Sequence, residues 1–187
     1  MATHCTAEPR PMPHTQAGHL LNPLRRLILS PKQLVARLGL QPQFTVLELG
    51  PGPGYFSVEV ARALPRGRLI LVDVQQEMLD MARERLERHG LTNVEYVCAD
   101  ARRLPLADAG VDVAFLVAVL GEVPEPDKAM CELHRVLRPG GKLSLTERMI
   151  GDPHSLDRDY VATIALQAGF SRPERMGRLT ETVNFAV

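Results

Sequence analysis

Short apolar runs alternate with amphipathic helical segments along this chain, and that alternation constrains the fold more than any other feature. The apolar runs that predict the first five strands are residues 45–49, 68–73, 94–98, 111–120 and 142–146. Most of these runs are separated by segments whose apolar residues have helical spacing. In Gln76–His89, for example, the apolar residues share one helix face, and Gly90 is expected to end the helix. This pattern predicts right-handed βαβ units and a mainly parallel sheet covered on both faces.

The two ends of the chain differ from this central pattern. Two weaker strand candidates, residues 170–176 and 182–187, are joined by a connection too short for a parallel crossover, so they should pair antiparallel. The prediction is therefore an α/β fold whose open sheet has one reversed strand near the C-terminus. At the other end, residues 1–44 should form an N-terminal arm and lid helices before the main domain at 45–187. Pro23 predicts a short helix to Leu29, and Ser30-Pro31 predicts another to about Leu38.

Composition excludes several classes of function. The 187 residues carry 22 basic and 22 acidic side chains, whereas nucleic-acid binders usually show a basic excess. No apolar window is long enough to span a membrane, and the N-terminus has no apolar segment of a secretory signal. The three cysteines, Cys5, Cys98 and Cys131, have no metal-binding spacing, so no metal is predicted. We expect a cytoplasmic protein that binds neither nucleic acid nor membrane, with Cys98 in the core.

Three successive predicted strands end in residues suited to a nucleoside ligand. Ligands of open α/β sheets bind beyond the carboxyl ends of the strands. The first strand leads into a turn with three glycines, Gly50, Gly52 and Gly54, which allow the backbone to approach a ligand closely. Asp73 ends the second strand and can accept both hydroxyls of a ribose, while Asp100 follows the third and can accept from an exocyclic amine.

The glycine pattern separates two cofactor classes. A dinucleotide fingerprint, G-x-G-x-x-G, needs glycine where this chain has Tyr55 or Ser57. The actual pattern is E-x-G-x-G-x-G, and the acid that opens it, Glu48, indicates a positively charged ligand group such as an amine or a sulfonium. An NAD-dependent oxidoreductase is therefore disfavoured.

Several segments carry a resemblance to a known family. They are VLELGPGPGYFSVEVA, LVDVQQEMLDMARERL, VEYVCADARRLPL, the stretch from GVDVAFLVAVLGEVPEP to LRPGGKLSLTE, and the late DPHS and AGF. In this order, over about residues 20–171, the chain resembles class I S-adenosylmethionine-dependent methyltransferases, most closely the small UbiE-like or methyltransferase-11-like members. The resemblance implies a Rossmann-like three-layer sandwich with a seven-stranded, mostly parallel sheet and a reversed last strand.

The resemblance also implies roles for individual positions. Residues of the glycine pattern would hold the methionine moiety, namely Glu48, Gly50, Gly52 and Gly54. Asp73 would bind the ribose hydroxyls and Val74 would pack on adenine. Asp100 would meet the adenine amine with help from the backbone of Ala101, and Val117 would line the site near the sulfonium.

The expected activity is methyl transfer from S-adenosyl-L-methionine to a small-molecule acceptor by in-line displacement. A sulfonium methyl is already activated, so a general base is needed only for a protonated nucleophile, and no catalytic residue is assigned. Glu122, Glu147 and Arg148 are candidate substrate contacts near the strand ends. Gly121-Glu122 stands where relatives often have a His-Glu pair, which leaves no imidazole base there. A non-catalytic S-adenosylmethionine-binding protein is the main alternative.

Overall fold

The computed structural model describes residues 29–148, 156–171, 173–176 and 181–187, together with Pro13 and Thr15. Most of the predicted arm and the predicted helix from Pro23 lie outside these residues.

Five α-helices and seven strands follow one another along the described part of the chain. The helices are α1 (Pro31–Leu38), α2 (Ser57–Arg62), α3 (Gln76–Arg88), α4 (Pro126–Val136) and α5 (Arg158–Gln167). The strands are β1 (Thr45–Leu49), β2 (Arg68–Asp73), β3 (Val94–Cys98), β4 (Val111–Val117), β5 (Leu137–Arg148), β6 (Glu174–Met176) and β7 (Glu181–Ala186). A short 3-10 turn, Leu120–Glu122, follows β4. None of the helices within these residues is long and apolar enough to cross a membrane.

Helix α1 begins and ends where its sequence predicts. The Ser30 hydroxyl accepts from the Gln33 N–H at 3.2 Å, and the Gln33 side chain accepts from the Ser30 N–H at 3.0 Å. Pro31 occupies the first turn, and Gly39 ends the helix in the left-handed region with φ 62°. These two caps fix the residues at which α1 begins and ends.

The seven strands form one sheet in the order β3-β2-β1-β4-β5-β7-β6. Strands β1 to β5 pair in parallel, while β7 pairs antiparallel with both β5 and β6. The predicted mostly parallel, seven-stranded sheet with a reversed last strand is confirmed. The strand order reverses between β1 and β4, which opens a crevice at their carboxyl ends.

Each face of the sheet has its own apolar core. One face packs against α4 and α5 through residues such as Leu116, Met130 and Ile164. The other packs against α1, α2 and α3 through residues such as Leu38 and Phe115. Alternate residues of a strand point to opposite faces, so each central strand contributes to both cores.

Several local predictions differ from the structure. Strand β4 ends at Val117 rather than at residue 120, and β6 covers only Glu174–Met176 of the predicted 170–176. Strand β5 begins at Leu137 rather than Lys142, because Leu137 pairs with Val111 before a register shift between Val111 and Val113. The shift accommodates the glycine turn, in which Gly140 has φ 74°. The prediction of a core position for Cys98 is wrong: it is exposed, because β3 is an edge strand of the sheet.

Candidate functional site

The glycine turn after β1 lies in the crevice where the strand order reverses. Gly50, Gly52 and Gly54 all have left-handed backbone, with φ of 65°, 51° and 75°. The Gly50 N–H donates to the Val72 carbonyl at 2.8 Å, which ties the turn to β2. A Cβ on Gly50 would lie 2.5 Å from Cγ2 of Val119, in the segment after β4. Glycine is therefore required at residue 50 both by backbone conformation and by this close approach.

Glu48 lies inside the protein at the start of this turn. Glu48 is only 3% exposed, and the Ser57 hydroxyl donates a hydrogen bond to Oε2 of the Glu48 carboxyl at 2.6 Å. Burial raises the pKa of Glu48 to about 8, against the lowering effect of the Ser57 hydrogen bond, and the charge of Asp73 raises it further. The carboxyl makes no ion pair with any residue in the described part of the chain.

Asp73 ends β2 next to the glycine turn. Its Oδ1 accepts from the Gln75 N–H at 3.0 Å, and the backbone of Gly52 and Val74 also hydrogen-bonds to this carboxylate. Burial raises the pKa of Asp73, while these backbone N–H groups lower it. Val74, directly after it, is 52% exposed, so an apolar side chain is available at the edge of the crevice.

Asp100 follows β3 in a different environment. Arg102 donates to both carboxylate oxygens, at 3.0 Å from Nε to Oδ1 and 2.6 Å from Nη2 to Oδ2. These hydrogen bonds hold the pKa of Asp100 below its usual range. Arg102 also donates from Nη1 to Glu125 at 2.9 Å, so it joins the loops after β3 and β4. Ala101 is buried beside them.

The segment after β4 completes the crevice. Val117 is half-buried, and its partner in the register of β5 is Thr146. Ala118 has left-handed backbone, φ 56°, and its N–H donates to the Thr146 carbonyl at 2.7 Å. Glu122 is half-buried at the end of the 3-10 turn. The strand that ends at Glu147 and Arg148 is described in its backbone, but their side chains lie outside the described part.

The structure therefore places the predicted residues of β1 to β4 at the same edge of one parallel sheet. Sequence reasoning missed two side chains that determine the state of the predicted carboxylates. Ser57 holds Glu48, and its position in the first turn of the helix after the glycines is the only local signal. Arg102 lies two residues after Asp100 and pairs with it. An acid and an arginine at this spacing are common in surface loops, so the sequence gives no specific sign of the pair.

This combination of fold and site defines a class. The sheet is open and has a reversed β7. A glycine turn lies at the β1–β4 switch point, and acids lie at the ends of β1, β2 and β3. This is the arrangement of the class I S-adenosylmethionine-dependent methyltransferases. S-adenosyl-L-methionine is the cofactor of this class. The chain belongs to the methyltransferase domain family, whose model matches residues 47–145, more than half of the chain.

Three known proteins show how far the similarity extends. A solved S-adenosylmethionine-dependent methyltransferase from Aquifex aeolicus is 26% identical, with a TM-score of 0.83 over 94% of this chain and 98% of that chain. The ubiquinone/menaquinone biosynthesis C-methyltransferase UbiE of Vibrio campbellii is 38% identical over 63% of this chain and 47% of its own length. An uncharacterized 37.1 kDa protein in transposon TN4556 of Streptomyces fradiae is 42% identical over 66% of this chain and 34% of its own length.

These matches confirm the predicted methyltransferase class and its cofactor, and they decide against a nicotinamide dinucleotide. The chain spans between about a third and a half of the length of the two curated relatives. Their similarity therefore covers the cofactor domain and leaves the acceptor open.

Proposed function

We propose that this chain transfers the methyl group of S-adenosyl-L-methionine to a small-molecule acceptor. The observation that carries the proposal is the pair of buried carboxyls, Glu48 and Asp73, at adjacent strand ends beside the glycine turn. Buried charges are normally paired. The cofactor carries a cationic amine and a sulfonium, which would give Glu48 the positive charge that no described residue pairs with it, and it carries ribose hydroxyls that can donate to Asp73.

We further propose how the predicted residues divide the cofactor between them. Glu48 and the three glycines hold the methionine part. Asp73 binds the ribose hydroxyls with the carboxylate that the backbone of Gly52, Val74 and Gln75 orients. The exposed side chain of Val74 supports this proposal, since it offers adenine an apolar surface.

The remaining contacts in the proposal lie beyond β3 and β4. Asp100 and the backbone of Ala101 meet the adenine amine. Both oxygens of Asp100 already accept from Arg102, so adenine has to share this carboxylate with the guanidinium. Val117, at the end of β4, faces the sulfonium and the acceptor.

Methyl transfer from a sulfonium depends mainly on how the acceptor is positioned. The cofactor supplies a methyl group on a sulfonium, which needs no further activation. The residues of this chain align the acceptor nucleophile with that group and exclude water from it. Glu122 ends the 3-10 turn that follows β4, and Glu147 and Arg148 end β5; all three are candidate contacts for the acceptor. We assign none of them a catalytic role.

The acceptor class and the location of the protein are part of the same proposal. The balanced charge of the chain supports an acceptor other than nucleic acid. The predicted cytoplasmic location stays a prediction.

Isothermal calorimetry with S-adenosylmethionine and S-adenosylhomocysteine tests the proposal. We expect saturable binding of both, and no binding of NAD under the same conditions. An absence of binding to both sulfur compounds would contradict the proposal. Binding without methyl transfer to any member of a panel of amines, thiols, phenols and metalloids would instead support the non-catalytic alternative.

A further inference from the structure

Four polar side chains lie buried together on one face of β5 and β7, and we call them the polar row. They are Ser144 and Thr146 of β5 with Thr182 and Asn184 of β7, and none is more than 6% exposed. The register places Thr146 opposite Thr182 and Ser144 opposite Asn184. The opposite face of the same two strands is apolar and packs against α4 and α5 through Leu143, Leu145 and Phe185.

Two atoms of the polar row have no hydrogen-bond partner among the residues that the structure describes. They are Oγ of Ser144 and Oδ1 of Asn184, both fully shielded from solvent. Buried polar atoms are almost always paired in native proteins, because an unpaired one loses its hydrogen bonds to water without replacement. Two of them in adjacent cross-strand positions therefore point to a group that binds between them.

The other two members of the polar row carry a spare donor. Arg37 of α1 donates from Nη1 to Oγ1 of Thr182 at 2.7 Å, and Oγ1 of Thr182 lies 2.9 Å from Oγ1 of Thr146. The two threonine hydroxyls carry two protons, and the hydrogen bond between them uses one of these, whichever threonine donates. The pair therefore has one hydroxyl proton left to donate.

The polar row begins beside the proposed reaction centre. Thr146 is the register partner of Val117, and neighbouring strands are separated by about 4.8 Å. Arg37 belongs to the segment before β1 that the sequence predicts as a lid. One end of the row thus lies next to Val117, and the other end lies two residues deeper in the sheet.

We propose that the polar row binds a hydroxyl group of the methyl acceptor and so selects hydroxyl-bearing acceptors. This inference rests on the proposed function and names the substrate class for the same site. Thr146 and Asn184 are specificity-determining positions in it, and Arg37 is a positioning residue that orients the threonine pair.

A hydroxyl group matches the hydrogen-bonding capacity of the polar row. It donates one proton, which Oδ1 of Asn184 accepts. Its oxygen has two lone pairs, which accept the spare threonine proton and the hydroxyl proton of Ser144. An ether can only accept, and a methyl group can do neither. An ammonium group can only donate, and it would meet the nearby charge of Arg37.

Carbon-13 labelling of the threonine methyl groups provides a readout at the row itself. The probes are phenol, anisole and toluene, which differ only in this hydroxyl, each titrated with and without saturating S-adenosylhomocysteine. We expect phenol to shift the Thr146 and Thr182 methyl resonances in a saturable way. Anisole and toluene should leave both unchanged at the same concentration.

Two variants and a matched control separate binding from structure. Asn184→Leu removes the acceptor Oδ1 and should weaken phenol binding about tenfold, the loss of one hydrogen bond, with unchanged affinity for S-adenosylhomocysteine. Ser144→Ala should weaken it severalfold and also raise the Tm, because an unpaired buried hydroxyl is removed. Thr163→Val, on α5, removes an exposed hydroxyl that donates to the Asp159 carbonyl, and it should change neither affinity.

Each outcome bears on the inference. Equal shifts for the three probes, shifts confined to other threonines, or phenol binding that survives in both variants would overturn it. So would a row that holds an ordered water only, because phenol would then cause no shift. If Asn184→Leu fails to fold, Ser144→Ala carries the test alone. Selective phenol binding without any S-adenosylhomocysteine binding would refute the proposed function and leave the hydroxyl site standing.

Discussion

The two ends of the candidate cofactor site hold carboxylates in opposite states. At the β1–β2 end, Glu48 and Asp73 are buried, and burial raises the pKa of both. At the β3 end, the Asp100 side chain is 42% exposed and Arg102 lowers its pKa. The carboxyls at the first end have no cationic partner among the described residues, whereas Asp100 at the second end is paired with Arg102.

This difference matches the two halves of the proposed cofactor. The methionine half carries positive charge, whereas adenine is neutral. A buried acid without a cationic partner among the described residues favours the charged half, because the ligand itself supplies the counter-charge. A carboxylate that is already paired with an arginine adds little electrostatic attraction for adenine and mainly orients it. We therefore expect most of the binding free energy to depend on the β1–β2 end.

The largest expected effect follows from substitution in the glycine turn at that end. Gly50→Ala places a Cβ against Val119 in a left-handed backbone, so it should lower the affinity for S-adenosylhomocysteine by about 100-fold or more. Calorimetry measures this loss. Gly90→Ala is the matched control: Gly90 also has left-handed φ, 68°, but no atom of the described residues lies within 4 Å of the place its Cβ would take. An equal loss in both variants would show that backbone strain alone is responsible.

A matched pair of amide substitutions compares the two ends directly. Asp73→Asn should reduce the affinity for S-adenosylhomocysteine by about 10- to 100-fold, because the amide loses one of two charged acceptor oxygens for the ribose hydroxyls. Asp100→Asn should reduce it less than about tenfold, because Arg102 already occupies that carboxylate. Calorimetry at a single pH and salt concentration measures both. Equal losses would contradict the assignment of most binding free energy to the β1–β2 end.

The last expected effect has a distinctive sign and concerns the stability of the protein without cofactor. The folded pKa of Glu48, about 8, lies above the ordinary value of 4.5, so its contribution to stability is present below pH 4.5 and is lost as the pH rises to about 8. Glu48→Gln mimics the protonated form at every pH. At pH 8.5 we expect the variant to be more stable than the unsubstituted chain by about 1–3 kcal/mol, with the gap closing toward pH 4.5.

Urea unfolding at pH 5, 6.5 and 8.5 measures this gap, and Asp100→Asn should have an effect of the opposite sign that stays constant over these three pH values. The pKa of Asp100 is lowered, so its contribution is present above its ordinary pKa and is lost as the pH falls. Its replacement should therefore cost stability at pH 8.5, by less than about 1 kcal/mol at so exposed a site. A pH-independent gap for Glu48→Gln would argue against a buried protonated carboxyl.

The fold could be predicted from the sequence because its signals are local. The apolar runs, the cap at Ser30 and the stops at Gly39 and Gly90 act within a few residues, and the structure confirms the strands they predict. The early start of β5 could not be predicted, because it depends on Leu137 meeting Val111 across the sheet. The exposure of Cys98 likewise depends on β3 being the last strand at its edge.

The candidate site shows the same division. The positions of Glu48, Asp73 and Asp100 could be predicted, since each follows a strand that is visible in the sequence. Their electrostatic states could not, because Ser57 and Arg102 act through side-chain contacts that no spacing rule specifies. The polar row was missed entirely. Its residues alternate with Leu143, Leu145 and Phe185 in an ordinary amphipathic pattern, which predicts a solvated face rather than a buried one.

The antiparallel placement of β7 separates the two proposed recognition events within the sheet. Within the described residues β6 pairs only with β7, and β7 pairs with β5, so the two strands attach to the sheet through β5 alone. The proposed contacts to the cofactor lie on β1 to β4 and the segments after them, and these strands do not pair with β6 or β7. The bond from Arg37 to Thr182, between residues 145 positions apart, instead depends on β7. In the proposed scheme, a change in β6 or β7 should therefore alter the choice of acceptor before it alters the affinity for the cofactor.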